Sequence, residues 1–195
     1  MSESDSANSE LQKQRILAVI PARLGSTRLP RKVLREIAGE PMIGWVYRAA
    51  RACPLLDQVL IATDSDEVLD FANAHNLPAI FTPVDCPSGT DRVHAVAESI
   101  AADIYVNIQG DEPLVRPEHF EALLAPMARP EVQVTTVATR CAEDQINNPN
   151  AAAVLPLTRS HTHTPIHTVG AAKGIRPHTV VSAARKTGAP APATQ

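Results

Sequence analysis

Five apolar residues in unbroken succession, Ile16-Leu17-Ala18-Val19-Ile20, stand out first along the chain. A run without alternation fits a strand covered on both faces, as in a parallel sheet. Pro21 and Gly25 break the chain into a loop. Pro41 can begin a helix carrying Met42, Ile43, Trp45, Val46 and Ala49. Val59-Leu60-Ile61-Ala62 predicts a second buried strand, followed by an acidic helix start at Asp64-Ser65-Asp66-Glu67 that suits the positive end of a helix dipole. Ala79-Ile80-Phe81 predicts a short third strand, and Thr90 to Ile100 a helix with Val93, Val96 and Ala97 inward. Ile104 to Ile108 predicts a fourth strand, Pro117 opens a helix with Phe120, Leu123 and Leu124, and Val132 to Thr139 alternates like a fifth strand. Strands alternating with helices define an α/β fold with a mainly parallel sheet. Ligands of such folds sit at the carboxyl ends of the strands, which directs attention to the loops after Ile20, Ala62 and Ile108.

Composition changes this picture mainly at the two ends. The chain has 195 residues, 44% of them hydrophobic, enough for a core in one domain or two small ones. The polar, acidic stretch before Ile16 lacks the apolar segment of a signal peptide, and no apolar run approaches the roughly 18 residues of a membrane helix. Three cysteines, Cys53, Cys86 and Cys141, lie far apart without a Cys-x-x-Cys pair, so a reducing cytoplasm is expected and a disulfide framework is not. A net charge of -3 gives no electrostatic case for nucleic acid or an anionic membrane as partner. All 21 acidic residues lie at or before Asp144. Residues 1–154 carry a net charge of -8, and residues 155–195 carry +5, with 7 Thr, 5 Pro and 4 His but no aromatic Phe, Trp or Tyr. A stretch of that kind buries little apolar surface. The expected organisation is a flexible leader over 1–13, a folded domain over 14–154 and a poorly ordered tail over 155–195.

Three constellations fall on the strand-end loops. Pro21-Ala22-Arg23-Leu24-Gly25-Ser26-Thr27-Arg28-Leu29-Pro30-Arg31-Lys32 places small and hydroxylated residues and four cations directly after the first strand. Backbone N–H groups, hydroxyls and fixed cations are what a polyphosphate needs, although no Walker pattern is present. Asn107-Ile108-Gln109-Gly110-Asp111-Glu112-Pro113 ends the fourth strand in a carboxylate suited to a hard cation, which takes one or two protein carboxylates and leaves the rest of its shell for phosphate and water. An Asp in an ordinary turn is the plainer reading. Ser88-Gly89-Thr90-Asp91-Arg92 opens a helix that Ser88 or Thr90 can cap, and it can equally face a base or ribose. Asp64, in Ala62-Thr63-Asp64, reads equally well as a helix cap and as a ligand.

Taken in order, P-A-R-x-x-S-T-R-L-P-x-K, A-T-D, S-G-T-[DE]-R, V-N-[IV]-Q-G-D-E-P and N-P-N-A at Asn148 to Ala151 resemble the 3-deoxy-manno-octulosonate cytidylyltransferases, the CMP-Kdo synthetases. The resemblance runs from about Ile16 to Val154. Ser26-Thr27-Arg28-Leu29-Pro30 separates the chain from the CMP-sialic acid synthetases. The resemblance implies a Rossmann-like nucleotidyltransferase fold that couples CTP to the sugar acid Kdo for lipopolysaccharide synthesis, with Mg²⁺ as cofactor. It assigns the catalytic roles to Arg23, Lys32 and Asp111. Arg23, Arg28 and Lys32 hold the triphosphate, with Ser26 also on the nucleotide; Ala22, Ser88 and Arg92 help to hold cytidine; Gln109 faces ribose or sugar; Asp111 binds Mg²⁺.

Beyond Asn150 the family pattern implies an aromatic-rich segment, sugar-binding residues, a dimerisation element and a second metal-binding Asp. The stretch Leu155-Pro156-Leu157-Thr158-Arg159 and the residues after it show none of these. The departure reads as a shifted reading frame or a defective gene end, with an authentic divergent tail as its rival. Two further functional readings are a nucleotide-binding remnant without turnover and a nucleotidyltransferase for another sugar acid. His161, His163 and His167 have the spacing of a zinc set, but no Cys or acid completes it, and they read as incidental.

Overall fold

The computed structural model describes residues 9–25, 29–137, 166–169 and 181–186. Among these residues the strands and main α-helices follow one another as β1 (Ile16–Ala22), β2 (Glu36–Ile37), β3 (Glu40–Pro41), α1 (Met42–Arg51), β4 (Gln58–Thr63), α2 (Asp66–Ala74), β5 (Ala79–Phe81), α3 (Gly89–Ser99), β6 (Ile104–Ile108), α4 (Pro117–Leu124), β7 (Val134–Val137), β8 (Ile166–Val169) and β9 (Val181–Arg185). Short 3₁₀ turns occupy Lys32–Leu34 and Ala125–Ala128. β2 and β3 form a two-residue antiparallel hairpin, and the other strands make one sheet in the order β5-β4-β1-β6-β9-β7-β8.

The apolar run at Ile16 becomes the pivot of this sheet. β1 pairs in parallel with β4 on one side, Val19 opposite Leu60, and with β6 on the other, Val19 opposite Asn107. Because side chains alternate across a strand, the run divides between two cores. Ile16, Ala18, Ile20 and Ala22 join the larger cluster with Ile43, Val46, Val68, Phe120 and Leu123, so α1, α2 and α4 cover that face. Leu17 and Val19 join Leu60, Val93, Val96 and Tyr105, so α3 covers the other. Two carboxylates set where β1 begins: Asp103 Oδ2 accepts from Arg15 N and Asp57 Oδ2 from Ile16 N, each at 2.7 Å.

The predicted elements recur with small shifts of their ends. Pro41 precedes the first helix as its cap, and Ser65, whose hydroxyl accepts from Val68 N, caps the second. Asp64 therefore does not cap the helix. The fifth predicted strand is described from Val134 to Val137 and leaves the described residues there.

Both ends of the chain depart from expectation. Leu11, within the supposed flexible leader, is 1% exposed and joins the larger core, carried on a helical turn over 9–11 that Gln14 N closes onto Leu11 O. From the supposed disordered tail, β9 enters the sheet between β6 and β7, antiparallel to both, and β8 adds a parallel neighbour to β7. The composition of 155–195 concealed these strands because an interior strand needs only a short run of residues and a sheet edge on each side. Val181 and Ala183 turn inward and are fully buried, and neither needs to be large. Arg185 then fastens the strand: its guanidinium donates to Met127 O at 2.6 Å, to Val132 O at 3.4 Å and to Gln14 Oε1. The sheet is mainly parallel, and β9 is its antiparallel exception.

An interior strand bonded on both sides exchanges its amide hydrogens slowly. The amides of 181–185 are expected to be protected to the same degree as those of β6 in hydrogen-exchange mass spectrometry. Exchange as fast as in an unfolded peptide would show that β9 is not part of the sheet.

Candidate active site

The carboxyl ends of β1, β4 and β6 meet where the sequence motifs fall, and Pro21 is the point they share. A Cβ on Gly110 would stand 2.9 Å from Pro21 O and 3.4 Å from Val33 Cγ1. A Cβ on Gly89 would stand 3.4 Å from Pro21 Cγ and 3.2 Å from Gln109 Nε2. At Gly110 a side chain would collide with the Pro21 carbonyl, so glycine is required for the turn after β6 to lie this close to β1, whereas at Gly89 the flexible end of Gln109 could yield. Gly110 therefore serves a close approach to β1, and the residue after it, Asp111, meets Lys32.

Lys32 and Asp111, both assigned catalytic roles, are in direct contact: Lys32 Nζ donates to Asp111 Oδ2 at 2.6 Å. The two side chains are 36% and 37% exposed, so the pair is reachable from solvent. Val33, beside Lys32, is buried, and its Cγ1 borders the space over Gly110, beside Asp111, so the two charged residues branch from neighbouring backbone. Arg31 takes a left-handed conformation, φ 58°, and pairs with Glu67 on α2. Arg23 is exposed beyond the end of β1 with no ion pair among the described residues. Ser26 and Arg28 lie outside the described residues. Ala22 is buried at the end of β1, opposite Thr63.

The Ser88 motif does what a helix start requires. Ser88 Oγ accepts from Asp91 N at 3.2 Å, and Asp91 Oδ2 accepts from Ser88 N at 3.0 Å. This reciprocal pair is a capping box. Ser88 remains exposed at the edge of the site. Arg92 has a different setting from that of an open ligand. It is 2% exposed, donates from Nη2 to Asp64 Oδ2 at 2.7 Å and from Nη1 to Thr82 Oγ1. Its guanidinium thus joins α3 to the ends of β4 and β5. Asp64, which the sequence left open between cap and ligand, is the partner of this buried cation.

Asn107 was missed among the candidate residues. It lies buried in β6, where its Oδ1 accepts from Gln109 Nε2 at 3.2 Å and its Nδ2 reaches Thr90 Oγ1 at 3.5 Å. A polar line from α3 through β6 thereby orients the Gln109 amide. An Asn inside an otherwise apolar strand was the available signal, because a buried amide needs partners. Cys53 is buried, and burial pushes its thiol up, so it stays protonated at neutral pH and has no nucleophilic role.

The donor set at Asp111 bears on a divalent cation. Among the described residues no group of three or more His, Cys, Asp or Glu converges to hold a metal, so a site enclosed by protein ligands is not present there. A single accessible carboxylate beside a cationic loop fits Mg²⁺, which keeps most of its shell for water and phosphate. No helix among the described residues is long and apolar enough to cross a membrane.

Comparison with known proteins places the chain in a family. The model of the cytidylyltransferase family matches residues 17–161. The chain belongs to the cytidylyltransferase family, as the motif resemblance implied. More particularly, it is 70% identical over 140 residues to the 3-deoxy-manno-octulosonate cytidylyltransferase of Acidobacterium capsulatum, covering 72% of this chain and 57% of that protein. The protein of the same name from Koribacter versatilis is 54% identical over 139 residues, 71% of this chain and 53% of that one. The chain thus spans little more than half the length of these relatives. The solved structure of CMP:2-keto-3-deoxy-manno-octonic acid synthetase complexed with CTP superposes with a TM-score of 0.69 and 32% identity, covering 88% of this chain and 74% of that one.

Two substitutions test the framework of the site. Gly110→Ala forces a methyl group against Pro21 O and is expected to lower stability by about 1–3 kcal/mol, as overpacking does, measured by urea unfolding. Arg92→Met removes the cation and leaves the partly buried Asp64 without that partner. The loss is expected at about 2–4 kcal/mol, toward the lower end for a broken buried pair because Asp64 keeps some contact with water. A midpoint unchanged in Arg92→Met would show that the guanidinium does not hold these elements together.

Proposed function

We propose that this chain handles CTP in the transfer of CMP to 3-deoxy-D-manno-octulosonate, giving CMP-Kdo and pyrophosphate for lipopolysaccharide synthesis. The observation that carries the reading is the meeting of Lys32 and Asp111 at the carboxyl end of β1 and β6, under a loop that also carries Arg23. The names of the relatives and the CTP in the superposed structure support it.

In this reading the anomeric hydroxyl of the sugar acid attacks the α-phosphorus and gives up its proton to solvent, a new P–O bond forms, the bond to the bridging oxygen breaks, and pyrophosphate leaves with its electron pair. No covalent bond to the protein is needed, so the work of the chain is positioning and charge neutralisation. Arg23, Arg28 and Lys32 bind the triphosphate, with Ser26 on the same loop. Ala22 and Ser88 border the cytidine. Gln109, oriented by Asn107, faces a ribose or sugar hydroxyl. Arg92 acts on cytidine through the placement of α3, in keeping with its buried position. Asp111 would hold Mg²⁺, which when bound neutralises charge on the phosphate oxygens.

A second reading, nucleotide binding without turnover, draws on a specific fact: residues 145–195 contain no acid, so the second metal-binding Asp implied by the family pattern has no counterpart in them.

Lys32→Ala and Arg23→Ala are each expected to weaken CTP binding about tenfold or more, the scale of one charge-assisted hydrogen bond. The loss should shrink as salt rises. Isothermal titration of CTP into folded protein measures both, and unchanged affinity in both variants would falsify the triphosphate assignment. Pyrophosphate release from CTP and Kdo with Mg²⁺ separates the two readings. Turnover of the 195-residue chain is expected to fall far below that of the Acidobacterium relative. Comparable turnover would remove the second reading.

A further inference from the structure

We propose that Lys32 is an exchangeable counter-ion of Asp111, which keeps a divalent cation off this carboxylate until a polyphosphate takes the lysine away. This rests on the reading of Asp111 as the cation's ligand, and deepens it by assigning the order in which charges enter the site.

Three observations carry the inference. First, the ammonium occupies the carboxylate. Lys32 Nζ is 2.6 Å from Asp111 Oδ2 and is the sole polar partner of that side chain among the described residues. Second, the pair is built in by packing. Val33, next to Lys32, is buried, and its Cγ1 lies 3.4 Å from where a Cβ on Gly110, next to Asp111, would stand, so the backbone brings the bases of the two charged side chains together. Third, the pair is open to exchange. Each member is more than a third exposed, and an accessible ion pair of this kind has little net stability of its own.

The neighbouring charges give the exchange its direction. A divalent cation arriving alone must either displace the ammonium or sit beside it, and like charges on one carboxylate oppose both. A triphosphate brings several anionic oxygens, onto which Lys32 can swing by its flexible stem, while Arg23 remains available beside it. Arg31 is already committed to Glu67 and offers no substitute. Once Lys32 has moved, Asp111 is a free carboxylate facing the phosphates. Cation and polyphosphate then favour each other's binding, and the coupling is the same in both directions, typically 5–150-fold. A bare cation leaves the site closed, and the carboxylate is opened by the anion that will share the cation with it.

The test uses Mn²⁺ as probe and the full 195-residue chain without nucleotide, with free Mn²⁺ read by electron paramagnetic resonance. The unmodified protein is expected to bind Mn²⁺ weakly, and Asp111→Asn to change that little. Lys32→Met is expected to bind Mn²⁺ about tenfold more tightly or better, and the Lys32→Met/Asp111→Asn double variant to lose that gain. Lys32→Arg, which keeps a cation at the carboxylate, should stay weak. If Lys32→Met does not fold, as judged by circular dichroism, Lys32→Gln takes its place. An Mn²⁺ affinity that is the same with and without Lys32, or tight binding by the unmodified protein that Asp111→Asn abolishes, overturns the counter-ion role while leaving Asp111 and the CTP reading open to their own test. A gain in Lys32→Met that survives in the double variant shows that Asp111 is not the ligand, and overturns both.

Discussion

The candidate site depends on how closely three pieces of backbone can approach Pro21. Strand β1 delivers its carbonyl to the end of the sheet, and Gly110 and Gly89 let the turn after β6 and the start of α3 settle against it. A side chain on Gly110 would push Asp111 outward by some tenths of an ångström or more. Charges at separations near 3 Å are sensitive to such shifts, because Coulomb energy and hydrogen-bond geometry both change steeply there. Packing of uncharged backbone thus decides whether the charged groups meet.

The same economy appears in how the cations are distributed. The loop after β1 presents four of them in sequence, but the fold treats them unequally. Arg31 is turned away to Glu67, Lys32 is held on Asp111, and Arg23 is left open. A further cation of the site region, Arg92, has become a buried joint between α3 and the ends of β4 and β5. Removing such a group from water is tolerated only with a charge and a hydroxyl to receive it, and Asp64 and Thr82 provide both. Equal charge in the sequence therefore becomes one tether, one accessible ion pair, one open cation and one structural strut.

Much of the fold could be read from the chain because its buried strands are short apolar runs and its helices start at recognisable caps. Ile16 to Ile20 is unbroken, and Ile104 to Ile108 is interrupted only by Asn107. Where motifs sat at strand ends, as with Lys32 and Asp111, the sequence indicated which residues the fold brings together. The site was illegible where tertiary pairing decides a role. Nothing local tells that Arg92 points inward to Asp64, since the two are brought together by β4 and α3 packing side by side. Nor does composition reveal β9, whose small residues are held by neighbours on both edges, or the buried Leu11, a single apolar residue in a polar stretch.

The antiparallel strand β9 has a consequence for the time course of synthesis. Its partner β6 ends at Ile108, about 70 residues before Val181. At ribosomal rates of about 5–20 residues per second, the β6 edge waits roughly 4–14 s for the strand that covers it. During that interval the nascent parallel sheet presents a row of unpaired amides and carbonyls beside Tyr105 and Val106, the kind of surface that captures strands of other chains. Crowded translation on one messenger would bring identical unfinished edges together, so the yield of this chain depends on the pace of elongation between β6 and β9 as well as on the stability of the finished sheet.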